Sequence, residues 1–176
     1  MNVIIKKNGF TFGVLSGIIS ILITTMIYVI DINMFASWWI GLTGITISII
    51  LAIVLLSKTK KELNGQMTFK ESFTTYFIMA VISILIATFF NVLLFNFIDP
   101  SLKESMKEII LKATIGMMQK FGAEKQAINQ AIKSLKDADN FSIGAQIKGL
   151  LTNIVVSSIF GLILAAFFKT PNKQEV

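Results

Sequence analysis

Between the last two long apolar runs, the side chains placed to do acid–base chemistry are Glu104, Glu108, Glu124, Asp137 and Asp139. Carboxylates at the edge of a bilayer would point to a membrane enzyme acting on lipid, with one group giving a proton and another taking it. Glu104 and Glu108 stand four residues apart and share a helix face. They alternate there with Lys103, Lys107 and Lys112, which is the pattern of a solvated helix flank rather than of a reaction centre. The sequence has no Cys and no His, and every basic residue is lysine. Thiol and imidazole nucleophiles, histidine acid–base steps and the commonest transition-metal ligands are therefore excluded. Oxygen-ligated hard cations remain open on composition. The residues assign no catalytic, cofactor or metal site, and the expectation is a protein that is not an enzyme.

The elements that carry these carboxylates are set by hydropathy. The 176 residues are 54% hydrophobic and 15% charged, against about a quarter charged in soluble domains. The net charge of +6 comes from lysines at the ends of apolar runs, where anionic lipid headgroups are the fitting partner and nucleic acid is not. Residues 9–30, 35–57, 72–98 and 149–168 each reach the about 20 apolar residues that cross a bilayer, and none carries an interior charge. Backbone at that depth satisfies its own hydrogen bonds, so each is a helix. The first is longer than a signal-peptide core and no A-x-A-like site follows it, so it reads as a retained span. The fold class expected is all-α: an integral membrane four-helix bundle, with residues 1–98 holding three spans, 99–148 an extracytoplasmic amphipathic helical hairpin, and 149–176 the fourth span and a tail. Lys6, Lys7, Lys58, Lys60, Lys61, Lys70, Lys169 and Lys173 set both termini and the middle loop in the cytoplasm. The aromatic belts expected are Tyr28, Trp38 and Trp39 outside, and Tyr76, Phe167 and Phe168 inside.

Small residues recur every four positions on all four spans: Gly9, Gly13 and Gly17; Gly44, Ser48 and Ala52; Ser83 and Ala87, followed by Asn91; and Asn153, Ser157, Gly161 and Ala165. They read as a homodimer face or, since every span has one, as close contacts inside a single bundle. Asn91, Asn96 and Asn153 either line a path or, as the simpler reading, bond between helices. IISILITT at 18–25 resembles VISILIAT at 81–88, and Lys-Thr closes spans two and four at 58–59 and 169–170. The chain thus reads as two similar hairpins, the second carrying an insertion at its tip.

Boundary motifs are local. Asn64-Gly65 is a turn, and Thr68-x-x-Glu71 is a capping box that opens span three. Asp99-Pro100 ends that span and caps a new helix, with Ser101-x-x-Glu104 as a second box in competing register. The next helix has one apolar stripe: Leu102, Met106, Ile109, Ile110, Ala113, Met117 and Phe121. A second stripe follows at Ala127, Ile128, Ala131, Ile132 and Leu135. Such a hairpin is too small to bury a core alone. Its stripes pack on the bundle, lie in the interface, or use Met106, Met117 and Met118 as an adaptable binding surface.

Gly13 and Gly17, then Gly65 with Phe69 and Phe73, then Asp99-Pro100 and the charged insert together resemble the bacterial four-span membrane proteins grouped as domain of unknown function 4199. The resemblance covers nearly the whole chain. It implies a multi-pass protein of the cytoplasmic membrane, in an envelope with two membranes, and it carries no activity with it. The function expected is a non-enzymatic structural, interaction or envelope-sensing component, partnered by the lipid bilayer and by a protein or a second copy through the small-residue faces or the outer hairpin. The alternative is a subunit of an oligomeric transporter or channel, against which the absence of intramembrane charge argues.

Overall fold

A computed structural model of the chain describes residues 2–171; Lys173 of the expected lysine pattern lies outside them. Among the described residues the structure is all-helical, with six α-helices: α1 (Val3–Ile30), α2 (Trp38–Glu62), α3 (Phe69–Leu93), α4 (Leu102–Lys120), α5 (Lys125–Asp137) and α6 (Ile143–Phe168). A 3₁₀ turn at Ile32–Ala36 joins α1 to α2, and a π-helical turn at Leu94–Ile98 extends α3. Four of these helices, α1, α2, α3 with its π turn, and α6, are long and apolar enough to cross a membrane. The bundle has a terminal end, where α1 and α3 begin and α2 and α6 finish, and an insert end, where α4 and α5 attach.

The parallel pair α1–α3 is the spine. Gly9, Gly13 and Gly17 form one edge of α1, and a Cβ built on them would stand only 2.9, 2.8 and 2.8 Å from Ile78, Ile82 and Ile86 respectively. Successive turns of α3 thus drop an isoleucine into each gap left by a missing side chain, and the backbones approach as only glycine allows. Ser83 donates to the Ser16 hydroxyl across the same seam at 3.0 Å. The small-residue edge of α1 is therefore consumed inside one chain.

α6 and α2 flank this pair, and they meet it chiefly at the terminal end. Gly161 of α6 receives the Tyr76 ring, with Cδ1 2.6 Å from an added Cβ, and Ala165 is fully buried. Tyr76, expected in an interfacial belt, is instead packed between α3 and α6, because Gly161 leaves room for a ring there. α2 buries Ala52, Leu55, Leu56 and Thr59, and Ala52 and Leu55 join Phe12 and Met79 in a core. Residues 38–51 of α2 and 143–160 of α6 bury nothing. The insert halves of these two helices are partly covered at most, with half-buried residues such as Leu51, Ile154 and Ser157 facing the spine.

Polar ties secure the terminal end. Asn8, 3% exposed, donates to the Thr59 hydroxyl at 3.2 Å and to the Glu62 carboxylate at 2.7 Å. Lys60 donates to the Phe168 carbonyl at 3.0 Å, satisfying one of the orphan acceptors at the end of α6. Asn64 and Gly65 turn the chain with φ of 55° and 78°. The reciprocal cap of Thr68 and Glu71 starts α3.

Adding a side chain to the seam tests this account. Gly13→Leu should cost about 1–3 kcal/mol through overpacking, read as a lower midpoint in a detergent unfolding titration. Gly41→Ala and Gly44→Ala, which face open space, should leave the midpoint unchanged. Equal effects at all three positions would remove the seam from the explanation.

Candidate functional site

The polar groups of the chain converge most densely where α4 and α5 join the bundle. The joint is built on the π turn. A π turn carries one residue more per hydrogen-bonded ring than an α turn, and such turns are rare and concentrate at functional sites. It turns two successive side chains, Phe95 and Asn96, toward the insert. Phe95 stacks on Phe141, just before α6, with ring centroids 4.8 Å apart. Asn96 donates to the Phe141 carbonyl at 3.3 Å and to the Val92 carbonyl at 3.1 Å, and its own oxygen accepts from Lys103 of α4 at 2.7 Å. Both ends of the insert are thus clamped to one turn.

Beneath this clamp lies an apolar cluster of Leu94, Phe95, Leu102 and Met106, with Tyr28, Ile32, Phe35, Phe90, Ile109 and Ile110 packed against it. Asp99 ties it to α1, since the Tyr28 hydroxyl donates to its carboxylate at 3.1 Å. The other Asp99 oxygen accepts from the Ser101 N–H at 3.2 Å and the Ser101 hydroxyl at 2.5 Å. Of the two caps in competing register, Asp99 prevails, and Ser101 makes no capping bond of its own. The Ser101 hydroxyl is the largest influence holding the Asp99 carboxyl below its ordinary 3.8, with Tyr28 assisting. Asp139 is lowered likewise, by Ser142 first.

The candidate acids do not assemble. Glu104 pairs with Lys107 and Glu108 with Lys112, both at 3.8 Å and largely in solvent. Glu104 and Glu108 edge a shallow groove of about 320 Å³ with Asn33 and Ile109. Glu124 is at the start of α5 and Asp139 at the start of α6. Among the described residues no three acidic groups lie close enough to hold a metal ion. Of the three asparagines at membrane depth, Asn96 bonds between elements, Asn91 is half-buried, and Asn153 lies exposed on α6.

The first half of the predicted α4 stripe is covered: Leu102 and Met106 are buried, Ile109 and Ile110 half-buried. The second half is not. Met117 is 57% exposed and Phe121 85%, because past Ile110 the helix turns a different side, Leu111, Ile115 and Met118, to partial burial as it packs with α5. Lys103, Tyr28 and Phe141 were invisible to sequence reasoning as joint residues. Lys103 sat within an ordinary charge pattern, and the Phe141 signal, an aromatic between polar residues, was too short to read.

Breaking the clamp should free the insert without melting the spine. Asn96→Leu removes three hydrogen bonds worth about 1 kcal/mol each and should speed amide exchange in the first turns of α4 and α6, leaving Gly9–Gly17 of α1 protected. The Asp99 contribution follows a lowered carboxyl value, so it is complete above 3.8 and is lost only as pH falls through the lowered value. Exchange in the first turn of α4 should therefore stay flat from about pH 8 to about pH 5, after correction for intrinsic rates, and Asp99→Asn should raise it across that range.

The model of a protein family described as "protein of unknown function (DUF4199)" matches residues 11–170. No curated protein and no solved structure matches the chain. The match runs from the glycine seam of α1 through the π turn and the insert to the end of α6, and the chain, a membrane protein with four candidate spanning helices, belongs to the DUF4199 family.

Proposed function

We propose that this protein is a non-enzymatic interaction component of the cytoplasmic membrane, in which the spanning helices hold the α4–α5 hairpin on the far side as a fixed platform for a partner protein. The observation that carries the reading is the contrast along α4. Its root is locked by Lys103, Leu102 and Met106 into the π-turn joint, while its tip leaves Met117 and Phe121 uncovered. Exposed apolar side chains on a rigid mount mark contact surfaces, and methionine suits a surface that adapts to its partner. The lysine placement supports cytoplasmic termini. A photo-crosslinking residue at 117 or 121 should give discrete protein adducts in cells, with none from position 112 on the charged side. Adducts to lipid alone would reduce the hairpin to a lid lying on the bilayer.

A second reading, a subunit of an oligomeric transporter or channel, is favoured by the exposed faces on the insert halves of α2 and α6. A Cβ at Gly41, Gly44 or Gly149 would meet nothing within 4 Å, and the Asn153 amide is exposed beside them. These faces suit a second copy. Mass measurement in lipid nanodiscs separates the readings: the platform needs one chain, whereas a conducting assembly needs several and must also pass solute in proteoliposomes.

A further inference from the structure

At the terminal end, the α1–α3 pair opens a groove of about 540 Å³ lined by Val3, Lys6, Lys7, Phe10, Thr11 and Ile78, with no residue from α2 or α6. It is a shallow depression, open along one side. The floor is apolar, and Val3 and Phe10 are 76% and 59% exposed. Lys6 and Lys7 line it with their apolar stems, and neither makes an ion pair among the described residues. The carboxylates that could serve them are already engaged. Glu62 accepts from Asn8 and faces Lys58 at 4.0 Å, and Glu71 closes the cap on Thr68. The described residues of this end carry seven lysines against those two glutamates. Among the described residues no carboxylate is left to supply counter-charge for Lys6 and Lys7.

We propose that this groove is a binding site for one anionic phospholipid, the phosphate held between Lys6 and Lys7 and an acyl chain laid along Phe10 and Ile78. The placement is consistent on both counts. The lysines stand at the end of a helix long and apolar enough to cross a membrane, the level at which headgroups lie, and the floor continues from them along the seam toward the apolar body of the bundle. A soluble phosphate would satisfy the rim but leave Phe10 and Ile78 bare, so the lipid is the occupant that uses the whole groove. The site stands independently of the hairpin platform.

The test is native mass spectrometry of the full chain with phosphatidylglycerol and with phosphatidylcholine of the same acyl chains. The wild-type protein should retain the anionic lipid in preference to the zwitterionic one. The K6Q/K7Q double variant should weaken that binding about thirtyfold, given the attraction each lysine contributes near an anionic headgroup. F10Q, on an exposed position that leaves the seam intact, should weaken it severalfold while both charges remain. K120Q/K125Q, the same charge loss on the insert, should change nothing. Glycerol phosphate should fail to compete. Equal loss in K6Q/K7Q and K120Q/K125Q, full retention in F10Q, equal binding of the two lipids, or competition by glycerol phosphate would each overturn the proposal.

Discussion

The missing side chains of Gly9, Gly13 and Gly17 are the constraint from which the rest follows. Lipid tails offer helices no hydrophobic reason to associate, so attraction between spans must come from close packing. Three gaps in α1 accept three isoleucines of α3 at one register. That register fixes where Tyr28 meets Asp99. The flanking helices need less. α2 and α6 each have their fully buried residues in a short patch near the terminal end.

At the opposite end the π turn converts a straight span into a mount. An uninterrupted α-helix would direct Phe95 and Asn96 elsewhere around the axis. With the wider turn, one side chain grips by ring stacking and the next by three hydrogen bonds, and both strands of the insert are caught. The asymmetry of α4, rooted at Leu102 and bare at Phe121, is the direct result.

Much of this was legible in the residues, and the boundary between legible and hidden is physical. The four long apolar helices, the Thr68–Glu71 cap and the Asn64-Gly65 turn are local or compositional, so the chain announces them. The glycine stripe was visible, but which helix fills it depends on contacts between distant segments, and every span carried a stripe. Partners across elements were the hidden class. Asn8 precedes an apolar run with nothing in its neighbours to mark it, yet it is buried against Thr59 and Glu62. The apolar stripe of α4 was extended by periodicity alone to Phe121. The position of α5 decides which side is covered, and no pattern within α4 encodes that. The π turn has no signal in its sequence, LFNFI, that separates it from α-helix.

The tie between the last helix and the middle loop has a bearing on biogenesis. Thr170 donates its N–H to the Met67 carbonyl at 2.8 Å, and its hydroxyl accepts from the Met67 N–H at 2.9 Å and donates to the Gly65 carbonyl at 3.1 Å. Met67 is 1% exposed, so its backbone groups have no water to fall back on. In order of synthesis the middle loop is made before α6, so the Met67 peptide groups gain these partners only once Thr170 has followed the last helix. Thr170 thus acts as a clasp, and a chain cut after Phe168 would carry an unlatched bundle.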